Sequence, residues 1–277
     1  MEKDYYRKLY EYYDIFNKDK TFLDIFYGVN APIPYKDLFI YPVQTLYYAI
    51  FHSFVTCFFA NKYDSGIREC MGMNSLQFLF YQNFKDGIDN AQMYLPLLEQ
   101  LLLMCLHKEP FANGKKTIDF IQRDKNKCFI LIEGKQYDWK DFEAIRDIIC
   151  EQNCVELPDY KIHPDIRKKL KEKEDLLNRI NKKKVASFEE LIDCLMLAGH
   201  YSEDYILNLS IRRFTNLLKR YDIMKTYELM TILSPNMKQR DIENIPSWIS
   251  AMPKQDQYFS KIQNISEIQN QIGDMNK

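Results

Sequence analysis

Few residues in this chain stand at the spacings that chemistry requires. Cys150 and Cys154 could bring two thiols together at a helix end, but no second Cys/Cys or Cys/His pair stands at zinc-finger distance, so no metal set is expected. His52, His107, His163 and His200 are scattered and belong to no H-E-x-x-H motif; they read as core or surface histidines. No serine or cysteine lies in a G-x-S-x-G or C-x-x-C setting, and Glu189 and Glu190 are accounted for by the start of a helix. The sequence therefore offers no catalytic, cofactor-binding or metal-ligating residue, and neither an enzyme nor a cofactor is expected.

Charge narrows the partners. The 38 basic and 39 acidic residues nearly cancel, so no global field recruits nucleic acid or an anionic membrane. The local exception is Arg167 to Lys184, with enough lysine and arginine for weak, salt-sensitive phosphate contact. Acidic residues are interleaved there and no aromatic platform sits among the lysines, so a solvated helix is the better reading. Glycine is scarce (8) while tyrosine (20) and phenylalanine (18) are abundant, a composition suited to packing and contact surfaces rather than Gly-rich phosphate loops. The seven cysteines form an odd set, mostly inside apolar runs, and read as reduced core residues of a cytosolic protein. The acidic, mixed start Met1-Glu2-Lys3-Asp4 carries no apolar stretch of the signal-peptide kind.

The elements that must position any site begin with YPVQTLYYAIFHSFVTCFFA, residues 41 to 60, which contains no Lys, Arg, Asp or Glu. A spanning helix needs about 20 apolar residues. Here Pro42 limits the helix to 43–60, polar side chains from Gln44 to Thr56 lie inside it, and the flanks carry no one-sided basic excess. The stretch is expected to be the central buried helix of a domain, with no membrane partner.

Around it, Tyr6, Leu9, Tyr10, Tyr13 and Phe16 predict an amphipathic helix over 4–17, and residues 22–41, with Asn30, Pro32 and Pro34, an extended passage with turns. Helices are predicted at 74–86, capped by Asn74 or Ser75, and at 90–107. The runs Thr117–Ile121 and Cys128–Ile132 predict a hairpin; after a turn at Glu133-Gly134-Lys135, Asp138 caps a helix carrying Phe142, Ile145, Ile148 and Ile149. Residues 155–186 read as a charged linker, and Ser187-Phe188-Glu189-Glu190 as a capping box that opens a second domain. The expected architecture is mainly α (α+β): an aromatic-rich helical domain with the β-hairpin-plus-helix unit over 1–154, the linker over 155–186, a small helical domain over 187–252 and a polar tail over 253–277.

The second domain holds the candidate binding surface. Leu207, Ile211, Phe214, Leu218 and Tyr221 recur at intervals of four and three along one helix face, with Arg212 and Arg213 beside it, and further short helices follow at 223–233 and 244–251. Packing within the domain is the plain reading of such a stripe; a domain this small also leaves apolar edges for a protein partner, with the arginines as rim.

The order of parts adds a resemblance. A β-hairpin followed by FEAIRDIICEQNC (142–154), a Lys-rich connector, SFEELIDCLMLAG (187–199) and YILNLSIRRFTNLLKRYD (205–222) resembles tail-assembly-chaperone and related tail-morphogenesis proteins of phages of low-GC Gram-positive bacteria. The similarity covers residues 117–225 and consists of helix-face patterns, so it carries no catalytic residue with it. It implies a protein that binds tape-measure or other tail proteins in the host cytoplasm during virion morphogenesis. The long aromatic region 1–110 exceeds a minimal chaperone and leaves a permanent structural place in the virion as the alternative.

Overall fold

A computed structural model describes residues 26–27, 30–65, 67–84, 94–107, 117–124, 127–157, 186–233 and 235, with isolated positions at 166, 169, 172 and 173. The helices expected at 4–17 and 244–251, the tail from 253 and most of the 155–186 connector lie outside the described residues. The fold is mainly α with small antiparallel sheets, as the sequence predicts. It comprises two compact units, Met1–Leu217 and Leu218–Lys277.

In the first unit, strands β1 (Ile33–Tyr35) and β2 (Leu38–Ile40) form a tight antiparallel hairpin. Its turn places Lys36 at φ +52. A single-turn 3-10 segment then leads into helix α1 (Tyr48–Val55). Helix α2 (Ser75–Phe84) is capped reciprocally: the Gln77 amide donates to Asn74 Oδ1 (2.8 Å) and the Asn74 amide to Gln77 Oε1 (2.9 Å). Helix α3 (Tyr94–Cys105) follows, with Pro96 in its first turn, where a missing amide costs nothing.

The three-stranded sheet β3 (Ile118–Asp124), β4 (Lys127–Ile132), β5 (Lys135–Tyr137) is antiparallel throughout. Glu133 and Gly134, at φ +52 and +76, make the two-residue turn whose twist matches the flanking strands. Helix α4 (Trp139–Gln152) starts at a capping box between Asp138 and Asp141.

The expected central helix is corrected. Residues 43–60 are not one buried helix but an eight-residue α1 between 3-10 turns at Thr45–Tyr47 and Thr56–Phe59, and only one side is buried, through Phe51, Val55, Cys57 and Phe58. Two hydroxyls tighten its end: Ser53 Oγ donates to the Ala49 carbonyl (3.0 Å) and Thr56 Oγ1 to that of Ser53 (2.6 Å). Leu46, Ile50 and Phe59 face solvent. The more enclosed helix is α3, buried from Leu101 to Cys105, with contacts to α1 and α2. Among the described residues, no helix is long and apolar enough to cross a membrane.

The expected boundary is also displaced. Beyond the connector come α5 (Phe188–Gly199), α6 (Glu203–Asn208) and α7 (Ile211–Leu233). Residues up to Leu217 belong to the first unit because their backbone is bonded into it. The Thr45 amide donates to the Leu209 carbonyl (2.7 Å), the Ile211 amide donates to that of Val43 (2.8 Å), and Gln44 and Ser210 form a β-bridge. Phe188 stacks on Tyr48 with centroids 4.9 Å apart, and Phe214 meets both rings edge-on. Residues 187–217 therefore belong to the same compact unit as the residues before the connector, and no independent domain begins at Ser187.

Of the second unit, the described part is the later half of α7 and Pro235. The helix expected separately at 223–233 is continuous with the preceding one.

Candidate functional site

The residue types that could do chemistry are placed where they cannot do it readily. Cys57, Cys105 and Cys150 lie buried in the core. Burial pushes the Cys57 and Cys105 thiols far up and that of Cys150 up to about 12, so all three stay protonated, weakly nucleophilic groups. Cys154 follows α4 at φ +55, half exposed. Among the described residues, no group of three His, Cys, Asp or Glu side chains could hold a metal ion. His200 terminates α5 at φ +54, and Glu190 accepts the Ser187 amide (2.6 Å) in the predicted capping box. His163 lies outside the described residues.

A polar cluster joins the first hairpin to α4. Tyr35 Oη donates to Asp141 Oδ1 (2.7 Å), and Lys36 Nζ lies 2.6 Å from the same oxygen. Tyr137 Oη donates to Asp37 Oδ1 (2.5 Å), and Lys135 pairs with Asp37 Oδ2. Burial first, and the facing carboxylate second, push both phenols well above their usual range. Lys135, with Tyr137, holds Asp37 down at about 2. The two phenols thus stay protonated and Asp37 stays ionised near neutrality. The cluster is a clamp between the β1–β2 turn and the α4 start.

The stripe predicted to bind a partner is divided by the fold. Leu207 sits on α6, half-buried, because the chain breaks at Leu209 and Ser210 to pair with residues 43–45. Ser210 then starts α7, its Oγ accepting from the Arg213 amide (3.2 Å). Ile211 and Phe214 are core residues, each about 1% exposed, so packing has taken them and neither can touch a partner. Arg212, partly buried, is engaged within the fold. Its Nη1 donates to the Glu151 carbonyl (2.6 Å) and to Glu151 Oε1 (3.2 Å), with the guanidinium 4.8 Å from the Tyr27 ring centroid. Arg213 is exposed, and Leu218 and Tyr221 are half-buried in the second unit.

Beside this divided stripe, the corner between α5 and α6 is open to a partner. Ile192 and Leu195 face the core, while Leu197 is 79% exposed, Tyr205 50% and Met196 36%. Tyr201 stacks on Tyr205, centroids 5.2 Å apart, and its ring closes over Gly199, where any Cβ would meet it at 2.3 Å. Ser202 caps α6 through the Tyr205 amide (3.3 Å). Glu189, Glu190, Asp193, Glu203 and Asp204 are all exposed around these apolar side chains, and residues 187–209 contain no Lys or Arg. Methionine, leucine and aromatic side chains on a rigid corner with a charged rim have the composition of a protein contact.

Sequence reasoning looked for a binding surface along the stripe from Leu207 to Tyr221 and passed over Leu197, Tyr201 and Tyr205. The signal was present: Leu197 stands two residues beyond Leu195, on the opposite side of a helix whose buried face is already fixed. No known protein family, curated protein or solved structure matches the chain.

Proposed function

We propose that this chain is a non-enzymatic phage tail assembly protein that holds tape-measure or other tail proteins during virion morphogenesis, acting in the host cytoplasm. The observation that carries the binding role is the apolar corner of Met196, Leu197 and Tyr205, exposed on a helix pair whose buried face is otherwise well packed. The resemblance of residues 117–225 to tail-assembly proteins supports the tail as its place of action. A corner of this kind fits the apolar face of an amphipathic helix, and the five surrounding carboxylates favour a partner with basic flanks. Tape-measure proteins, long and prone to coiled-coil formation, offer many such faces.

Co-expression with the tape-measure protein of the same phage tests the reading. Wild-type chain keeps that protein soluble and co-purifies with it, while Leu197→Asp, folded by circular dichroism, does not. Absence from purified particles marks a chaperone; presence at fixed stoichiometry marks a virion component. Failure to bind any tail protein would remove the proposal.

A further inference from the structure

The later half of α7 carries a second apolar face, separate from the α5–α6 corner and in the other compact unit. Leu218, Asp222, Lys225, Leu229 and Ile232 follow one another at intervals of four, three, four and three, the spacing of a helix-pairing seam. Asp222, Lys225, Leu229 and Ile232 are exposed, with Leu229 at 56% and Ile232 at 73%, and Leu218 is half-buried. Among the described residues, this is the more exposed side of the helix.

The seam's two charges decide what can cover it. A parallel copy in register would set Asp222 against Asp222 and Lys225 against Lys225, two like-charge contacts in an apolar seam. An antiparallel copy with its two-fold axis between Ile223 and Met224 instead sets Asp222 against Lys225 twice at the centre and Leu218 against Leu229 twice outside it. Sliding that copy by a heptad one way sets Asp222 against Ile232 and Lys225 against Leu229, and the other way sets Asp222 against Leu218 and Lys225 against Thr215, so neither charge meets its opposite. One register therefore satisfies all four central layers, and it is isologous, as a two-fold contact must be.

We infer that the later half of α7 pairs with the same segment of a second copy of this chain, antiparallel, through Leu218, Asp222, Lys225 and Leu229. Within one chain Lys225 Nζ lies 2.7 Å from Glu228 Oε2 and 5.7 Å from the Tyr221 ring centroid, so the ammonium keeps these neighbours when it meets Asp222 of the second copy. A four-turn helix pair buries less than the roughly 1,200 Å² of a standard stable interface, so the dimer is weak. The central ion pairs contribute register more than affinity.

Sedimentation equilibrium of the full chain tests this, run under reducing conditions because Cys194 is exposed, at loadings up to about 100 µM, where a weak dimer is populated. Wild type is expected to show a reversible monomer–dimer equilibrium. Asp222→Lys and Lys225→Asp, each alone, create like-charge layers and weaken dimerisation at least tenfold, while the double swap restores it because both charged layers are again Lys–Asp pairs. Circular dichroism confirms the fold of each variant. A wild type that stays monomeric overturns the inference, as does a dimer indifferent to the single reversals or a double swap that fails to rescue. None of these outcomes bears on binding at Leu197.

Discussion

Phe188 lies face to face on Tyr48, centroids 4.9 Å apart and ring planes within 7° of parallel. The pair joins the first residue of α5 to the first residue of α1 across a separation that includes the whole charged connector. With Phe214 edge-on to both rings, it fastens residues 186–217 to the earlier part of the unit. A double-mutant cycle of Tyr48→Ala and Phe188→Ala should give a coupling of about 0.5–1.5 kcal/mol beyond lost area, read from urea midpoints. Simple additivity would mean that the rings do not hold each other.

Cutting the connector should therefore leave the two pieces together. A protease site engineered into residues 174–184 is expected to give two bands on a denaturing gel and one peak in gel filtration. Separation of the fragments into two peaks would restore a domain boundary at the linker.

How much of this was legible beforehand follows from the range over which each feature is decided. The capping boxes at Asp138 and Ser187, the hairpin of β3 and β4 and the helix faces of α3 and α4 depend on residues within one or two turns, and their patterns were readable. The break at Leu209–Ser210 was not, because it is imposed by the strand-like pairing of Val43 to Thr45 more than 160 residues earlier, and nothing near Ser210 interrupts the periodicity. The same long-range pairing explains why the stripe from Leu207 to Tyr221 reads as one face yet serves three purposes. Leu207 stays on α6, Ile211 and Phe214 enter the core, and Leu218 joins an exposed seam. The candidate corner at Leu197 was half-legible, since an apolar residue opposite a buried face can be found by counting, whereas the exposure of Tyr205 depends on how α6 packs.

Thiol reactivity offers an independent check on burial. In the native protein Cys194 should react fastest with a maleimide, Cys154 more slowly, and Cys57, Cys105 and Cys150 only after unfolding, since burial withholds access and keeps their thiols protonated. Rapid native labelling of Cys105, traced by peptide mapping, would show that α3 is not enclosed.

The clamp at Asp37 has a definite pH signature. Lys135 and Tyr137 lower its folded pKa to about 2, so its stabilising contribution is present above the unfolded carboxylate value and is lost as pH falls through the folded one. Asp37→Asn lacks that contribution at every pH. The difference in urea midpoint between wild type and this variant should stay constant above about pH 5 and shrink between about pH 4 and 2. A difference that is unchanged across that interval would mean that Asp37 is not ionised in a pair.

The central claim is that the chain works by holding a protein at the α5–α6 corner, and the measurement closest to it is an affinity titration of the tape-measure protein's helical segments against the purified full chain. Replacing a central, desolvated apolar contact usually costs about 2 kcal/mol or more, which is roughly thirtyfold in affinity. Wild type is predicted to bind at least one segment, with Leu197→Asp weaker by at least that factor and the exposed, off-corner Arg213→Ala unchanged. Binding that Leu197→Asp leaves intact, or no binding by wild type to any segment, would contradict the account.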